Sequence, residues 1–455
     1  MAEGRTPETA TEQSGEPSLK RVMGPKLLLF FVVGDILGAS IYSLTGKVAG
    51  EVGGALWIPF LIAFVVAFLT AFSYLELVGK YPRAAGAALY THRAFGLQFL
   101  TFMVAFAVMC SGITSASSAA QAFSGDYLQE FVTAPEVLVA IAFIMLLALV
   151  NFRGVGESVK LNVVLTIVEL SGLLIVIAIG LFAVLNGDGE PGRLVEFDAE
   201  SGAFFGVTSA TALAFFSMVG FEDSVNMAEE VRNPVKVFPR AIIIGLIFCG
   251  LVYLLVSTTS SLLVPVGTLE NSTAPLLEVV RVGAPAFPLL FFTGIALFAV
   301  INSALINMLM ASRLLYGMAN ERIIPKQFGR VHPLRRTPWV SILFTSVIAI
   351  GLVSTAEIED LGSTTALLLL IVFSIVNVAV LVLRKDRVEH DHFRAPTIIP
   401  VLGAISCAFF ASPLTGRDPT HYAIAGILLC IGVLFWLINR ALVGRVRFDP
   451  SKLDA

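Results

Sequence analysis

ALAFFSMVGFEDSVNMAEEVRNPVKVFPR, residues 212–240, begins as a membrane span and stops being one halfway through. Apolar residues run from Phe204 to Val219 with only small polar breaks, and then Gly220, Glu222 and Asp223 arrive together. A charged side chain at the centre of a lipid-facing helix costs about 2.5–3.5 kcal/mol on insertion scales, so two adjacent acids are not lipid filler. Polar backbone at this depth is tolerated where it is buried in protein or lines a wet cavity. The stretch therefore reads as an interrupted helix that offers free N–H and C=O groups to a solute at mid-membrane. Glu222 and Asp223 read as gating or positioning residues, and a mixed-charge, proline-bounded loop is expected from Glu229 to Arg240.

The rest of the composition agrees with a membrane chain. Of 455 residues, 56% are hydrophobic and only 14% charged, far less charge than a water-soluble domain carries. A net charge of −3 points to no nucleic acid or other polyanion as partner. Cys110, Cys249, Cys407 and Cys430 lie in apolar segments at unrelated spacings and read as small core residues, with no disulfide frame and no metal box. No phosphate-binding glycine loop with lysine is present, so energy is expected from an ion gradient or from exchange, without a cofactor.

A span needs roughly 20 apolar residues. Twelve are predicted, near 25–46, 54–79, 97–123, 135–152, 159–186, 203–230, 238–264, 286–318, 338–356, 361–383, 396–412 and 420–441, with the third and eighth longest. With the N-terminus inside, all Lys and Arg residues except Lys47, Arg193, Arg281 and Arg417 fall on the inner side, which places both termini in the cytoplasm of a multi-pass protein of the cytoplasmic membrane. Residues 1–20 are expected to be a disordered tail, 21–198 and 199–388 two repeats of five spans, and 389–455 two peripheral spans with the C-terminus.

The first span, LLLFFVVGDILGASIYSLTGK, gathers Gly34, Asp35, Gly38, Ala39 and Ser40 in its middle. Two glycines within five residues weaken a helix, and small residues admit close approach to the backbone. A small-residue face for helix packing is the competing reading. The sixth span decides between them: spans one and six each open a set of five, and each carries a polar, glycine-containing interruption. Odd-numbered repeats insert in opposite orientations, which predicts an all-α fold with an inverted repeat and the site at its pseudo-two-fold axis.

These stretches carry a family resemblance. GDILGASIYSLTG (34–46), ELVGKYPRAAGAALYTHRAFG (76–96), FFSMVGFEDSVNMAEEVRNPVKVFPRAI (215–242) and ASRLLYGMANERIIP (311–325) resemble, in the right order, motifs of the amino acid–polyamine–organocation superfamily. The resemblance implies the five-plus-five fold of the leucine-transporter type plus two peripheral helices, and amino acid transport by alternating access. In that frame the N–H groups of Gly38, Ala39 and Ser40 would take the solute carboxylate. The C=O groups of Ile36, Phe216, Ser217 and Val219 would take its ammonium, with the Phe216 ring as gate or core residue. The family often has Gly-Thr-Gly where Gly38-Ala39-Ser40 stands, and paired glycines where Ala85-Gly86 stands, so a threonine hydroxyl is lost and Ser40 narrows the pocket.

Glu169 stands alone in the otherwise uncharged LNVVLTIVELSGLLIVIAIG, at a place where many proton-linked members have lysine. Four readings are open: a proton site, a sodium ligand together with oxygens such as that of Ser303, a partner for a cationic solute, or a neutral acid bonded to a backbone carbonyl. Asp35 is a further proton-carrier candidate, or a structural partner. Asn302, Ser303 and Asn307 are spaced to face the bundle interior, and Glu76 is expected to pair with Lys80 or Arg83. The expected partners are an amino acid, neutral or cationic, a coupling ion (a proton ahead of sodium) and the bilayer. An amine or polyamine carrier of the same fold is the nearest alternative; a non-transporting nutrient sensor stands further off, and no nucleophile–base pair suggests an enzyme.

Overall fold

The computed structural model describes residues 23–82, 86–153, 159–197, 202–320, 324–335 and 337–443. The predicted tail lies outside the described residues. Those described are almost entirely helical, and their one extended contact is an isolated bridge between Met23 and Val231. The chain runs through α1 (Pro25–Ile36), α2 (Ala39–Val52), α3 (Trp57–Lys80), α4 (Gly86–Phe95), α5 (Gln98–Ala122) and α6 (Glu136–Arg153). It continues through α7 (Val159–Leu185), α8 (Ala203–Ala214), α9 (Pro234–Leu263), α10 (Val266–Asn271) and α11 (Pro275–Gly283). It ends with α12 (Leu289–Asn320), α13 (Trp339–Thr355), α14 (Ile358–Leu383), α15 (Ile398–Ala411) and α16 (Pro419–Val443).

Among the described residues ten helical segments are long and apolar enough to cross a membrane, and α13 and α15 are apolar but shorter. At 1.5 Å per residue the 14 residues of α15 reach only ~21 Å. The outer surface is apolar. On α6, Leu138 and Leu146 are 64% and 55% exposed, while Ala140, Phe143, Ile144 and Leu147 turn inward. Such a surface is stable only against hydrocarbon.

We call the face that holds Met23, Lys80 and Arg384 the near face, and the opposite one the far face. A polar clasp closes the near end of α3 onto α14. Glu76, buried, receives both arms of Arg384 at 2.8 and 2.7 Å and the N–H of Ala395 at 3.0 Å. Lys80 donates to the carbonyls of Leu383 and Asp386, and the Tyr81 hydroxyl to the Asp386 carboxylate. Burial, and then that carboxylate, raise the Tyr81 phenol, so it stays a neutral donor. Deeper in, Ser73 donates to Asn377 at 2.6 Å and Asn377 to Thr70 at 3.1 Å, a satisfied network between α3 and α14.

Several expectations need correction. The partner of Glu76 is Arg384, because the bidentate fork of arginine satisfies a buried carboxylate that one ammonium cannot; Arg83 lies outside the described residues. The first span is two helices, and the second runs on to Val52. The loop expected to reach Arg240 ends earlier: α9 starts at Pro234, whose fixed φ suits a first helical position. That makes α9, at 30 residues, second to α12 at 32, and longer than α5 at 25. Cys430 is exposed on α16, whereas the other three cysteines are buried. Helices α4, α10 and α11 occupy stretches read as loops. The pattern PLLEVVRVG carried the signal for α11, since Leu276, Leu277, Val279 and Val280 are buried while Arg281 faces out.

Candidate solute site at two helix breaks

The first break falls between Ile36 and Ala39. Leu37 caps α1 through its N–H on Val33 O, and Gly38 turns the chain with φ −21° and ψ −178°. The first N–H groups of a helix have no partner within it and form the positive end of its dipole. Gly38, Ala39 and Ser40 hold these donors at the start of α2, and a β-carbon on Gly38 would lie 3.2 Å from Ser303 Oγ. The structure thus brings Ser303 of α12 onto the first break.

The second break is longer. Helix α8 ends at Ala214, Phe215–Met218 tightens to a 3-10 turn, Val219 is extended, and a further 3-10 turn covers Asp223–Glu230. At Gly220 φ is +123°, and a β-carbon would stand 2.7 Å from the Asp35 carbonyl, so glycine is required twice over. The two breaks therefore meet backbone on backbone. Glu222 Oε2 accepts the Gly220 N–H at 2.8 Å, which fixes the corner from within.

The other expected residues distribute as follows. The Ile36 carbonyl already receives the Tyr253 hydroxyl at 2.5 Å, leaving one lone pair. The Phe216 carbonyl receives the Val219 N–H at 3.4 Å. The Phe216 ring is buried against Gly362, beside Leu44. Ser217 is buried. One oxygen of Asp35 is buried without a hydrogen-bond partner. Glu169 is 0% exposed and neither carboxyl oxygen has a hydrogen-bond partner among the described residues. Its ionisable neighbours are Asp35 on α1, Tyr42 on α2, and Cys249 and Tyr253 on α9. The Tyr42 hydroxyl meets its main-chain oxygen at 2.6 Å, and Thr166, one turn earlier, packs on Gly34. Asn307 is turned back onto the Ser303 carbonyl at 2.9 Å.

Sequence reading passed over Tyr253, Tyr42 and Thr166. A tyrosine in the apolar run LVYLLV must find a hydrogen-bond partner, and that was the available signal.

A cavity of about 380 Å³ runs from the second break toward the near face. Val219, Glu222 and Asp223 line it with Ser111 and Ser115 of α5 and Thr365 of α14, and Arg313 and α4 stand at its mouth. Its volume suits a small molecule. On the far side α10 and α11 lie across α2, with Gly46 against the Leu269 carbonyl and Arg281 bridging Glu130 and Glu278 at 2.6 and 2.7 Å. Among the described residues no group of three or more His, Cys, Asp or Glu side chains could hold a metal ion.

Residues 24–436 match the model of the amino acid permease family. The chain belongs to that family. It is a multi-pass membrane transporter and not an enzyme. Among its relatives, a branched-chain amino acid permease of Bacillus subtilis is 26% identical, covering 94% of this chain and 95% of that protein. A methylthioribose transporter of the same organism is 27% identical, covering 95% and 96%. Cationic amino acid transporter 4 of Mus musculus is 28% identical, covering 83% and 62%. Near-equal similarity to proteins named for three different solutes means that family membership sets the fold and the activity class, and the residues of the cavity must set the solute.

Proposed function

We propose that this permease moves an amino acid, neutral or cationic, across the cytoplasmic membrane by alternating access, taking it up together with protons. The reading rests on one observation above the others: Gly220 seats the span-six break on the Asp35 backbone of the span-one break, beside a cavity that starts at Val219. Free N–H groups at Gly38, Ala39 and Ser40 then face the carbonyls of Ser217 and Val219 and the remaining lone pair of the Ile36 carbonyl. That is a complementary pair of dipole ends for a carboxylate and an ammonium on one carbon.

In this reading α13 and α15 complete twelve spans, residues 21–198 and 199–388 form the inverted repeats, and 389–455 lie outside them. Both termini and the near face are cytoplasmic, as the Lys and Arg distribution favours, so the cavity opens inward. Glu169 carries the proton, supported by a buried carboxyl with no competing partner, and Asp35 assists. Glu222 and Asp223 hold the corner and the cavity wall; Ser303 supports the first break. A second reading, an organic amine carrier, draws on the gathering of Asp35, Glu169, Glu222 and Asp223 at the breaks.

Thermal-shift measurements on the purified protein with the twenty amino acids, several polyamines and ethanolamine test the proposal. A ligand at 100 times its Kd adds about 2.7 kcal/mol. Stabilisation by one chemical group of amino acids is expected; stabilisation only by amines without a carboxylate removes the role of Gly38, Ala39 and Ser40.

A further inference from the structure

Arg417 sits in the connection between α15 and α16, where a solvated surface cation is expected. It is instead 5% exposed and sunk between helices. One guanidinium nitrogen donates to the Ser363 carbonyl on α14 at 2.6 Å. The other reaches the carbonyls of Ala212 on α8 and Phe410 on α15 at 3.5 and 3.4 Å. Ala212 and Phe410 lie in the last turns of their helices, where carbonyls lack a partner and the dipole is negative. No carboxylate forms an ion pair with Arg417 among the described residues. Burial pushes its pKa down to about 10, so it is still a cation at neutral pH.

The contact is not isolated. The Thr208 hydroxyl donates to the Thr415 carbonyl at 2.8 Å, and Gly416, with φ +78°, lies against the Phe205 ring. Phe205, Thr208 and Ala212 fall at helical spacing on one stripe of α8. The whole connection is therefore docked along the half-helix that leads into the second break, and Ala212 is three residues from the turn at Phe215–Met218.

We infer that Arg417 is a positioning residue for solute binding: it staples the end of α8 to α14 and α15 and so aims the carbonyls of Ser217 and Val219 at the first break. This gives the last two helices a part in the site rather than a peripheral one. It rests on the reading of the span-six carbonyls as half of the solute site, and the test separates the two claims.

Amide hydrogen exchange on the full chain in nanodiscs reads the staple without any solute. Arg417→Met should raise exchange across residues 212–219 about tenfold and leave α5 unchanged, and Arg417→Lys should restore most of the protection. In parallel, equilibrium binding of radiolabelled L-leucine and L-arginine should weaken about tenfold for whichever the wild type binds, with KM rising and kcat held within about twofold. Should Arg417→Met fail to fold, Thr208→Val, which removes one bond on the same stripe, should give a smaller rise in the same segment. Unchanged exchange at 212–219 overturns the staple. Raised exchange with unchanged Kd overturns the positioning role. A wild type that binds neither, nor any of the twenty amino acids by thermal shift, overturns the solute reading while the exchange result still stands.

Discussion

Glu76 and Glu169 are both glutamates sunk in the helix bundle, 2% and 0% exposed, and they could hardly be treated more differently. Glu76 receives a bidentate arginine and a backbone N–H. Glu169 receives nothing at either oxygen. A fold that provides three donors to one buried carboxyl and none to another uses the first as a fastening. The second has both oxygens uncommitted, which is why we propose it as the proton site. Position sharpens the contrast. Glu76 joins α3 to α14 at the near face, whereas Glu169 lies beside the span-one break, among tyrosines that are themselves bonded to backbone.

The largest expected effect is on the fastening. Glu76→Ala leaves the largely covered Arg384 without its carboxylate and should cost about 3–5 kcal/mol of stability, read by denaturation in detergent. Glu169→Gln should move the other way: an unchanged or higher melting temperature, with pH-gradient-driven uptake down about 100-fold, equivalent to about 2.7 kcal/mol. If Glu169→Gln were instead as destabilising as Glu76→Ala, the contrast would break, and Glu169 would be a structural acid.

Glu222 lies between these extremes, since it accepts the Gly220 N–H but no arginine. Glu222→Gln keeps an acceptor and cannot ionise, so a stability change of about 1 kcal/mol is expected, with weakened solute binding. The smallest effect is expected at Tyr253→Phe, which removes a single bond to the Ile36 carbonyl, about 0.5–1.5 kcal/mol. A shifted pH profile of uptake in that variant would tie Tyr253 to the proton path through Glu169.

The sequence made the two breaks legible because their signature is local: glycine beside an acid in an otherwise apolar run, at Gly34–Gly38 and at Gly220–Asp223. Glu169 was legible for the same reason, as one charge in a long apolar helix. What stayed hidden depends on contacts between residues far apart in the chain. Glu76 finds Arg384 across 308 positions and Tyr253 finds Ile36 across 217, and neither spacing leaves a periodic trace. Arg417 was read as an outer-loop cation because its neighbours in sequence are polar, while its neighbours in space are the carbonyl ends of other helices. Helices α10 and α11 escaped because, at 6 and 9 residues, they fall below the length at which hydropathy speaks.

The most direct test of the account follows internal pH in proteoliposomes while an amino acid gradient, and no proton gradient, drives the flux. The wild type should acidify the lumen as solute enters, and Glu169→Gln, reconstituted at equal density, should carry solute with no pH change or carry none. Equal acidification by both proteins would contradict the assignment of Glu169 as the proton carrier.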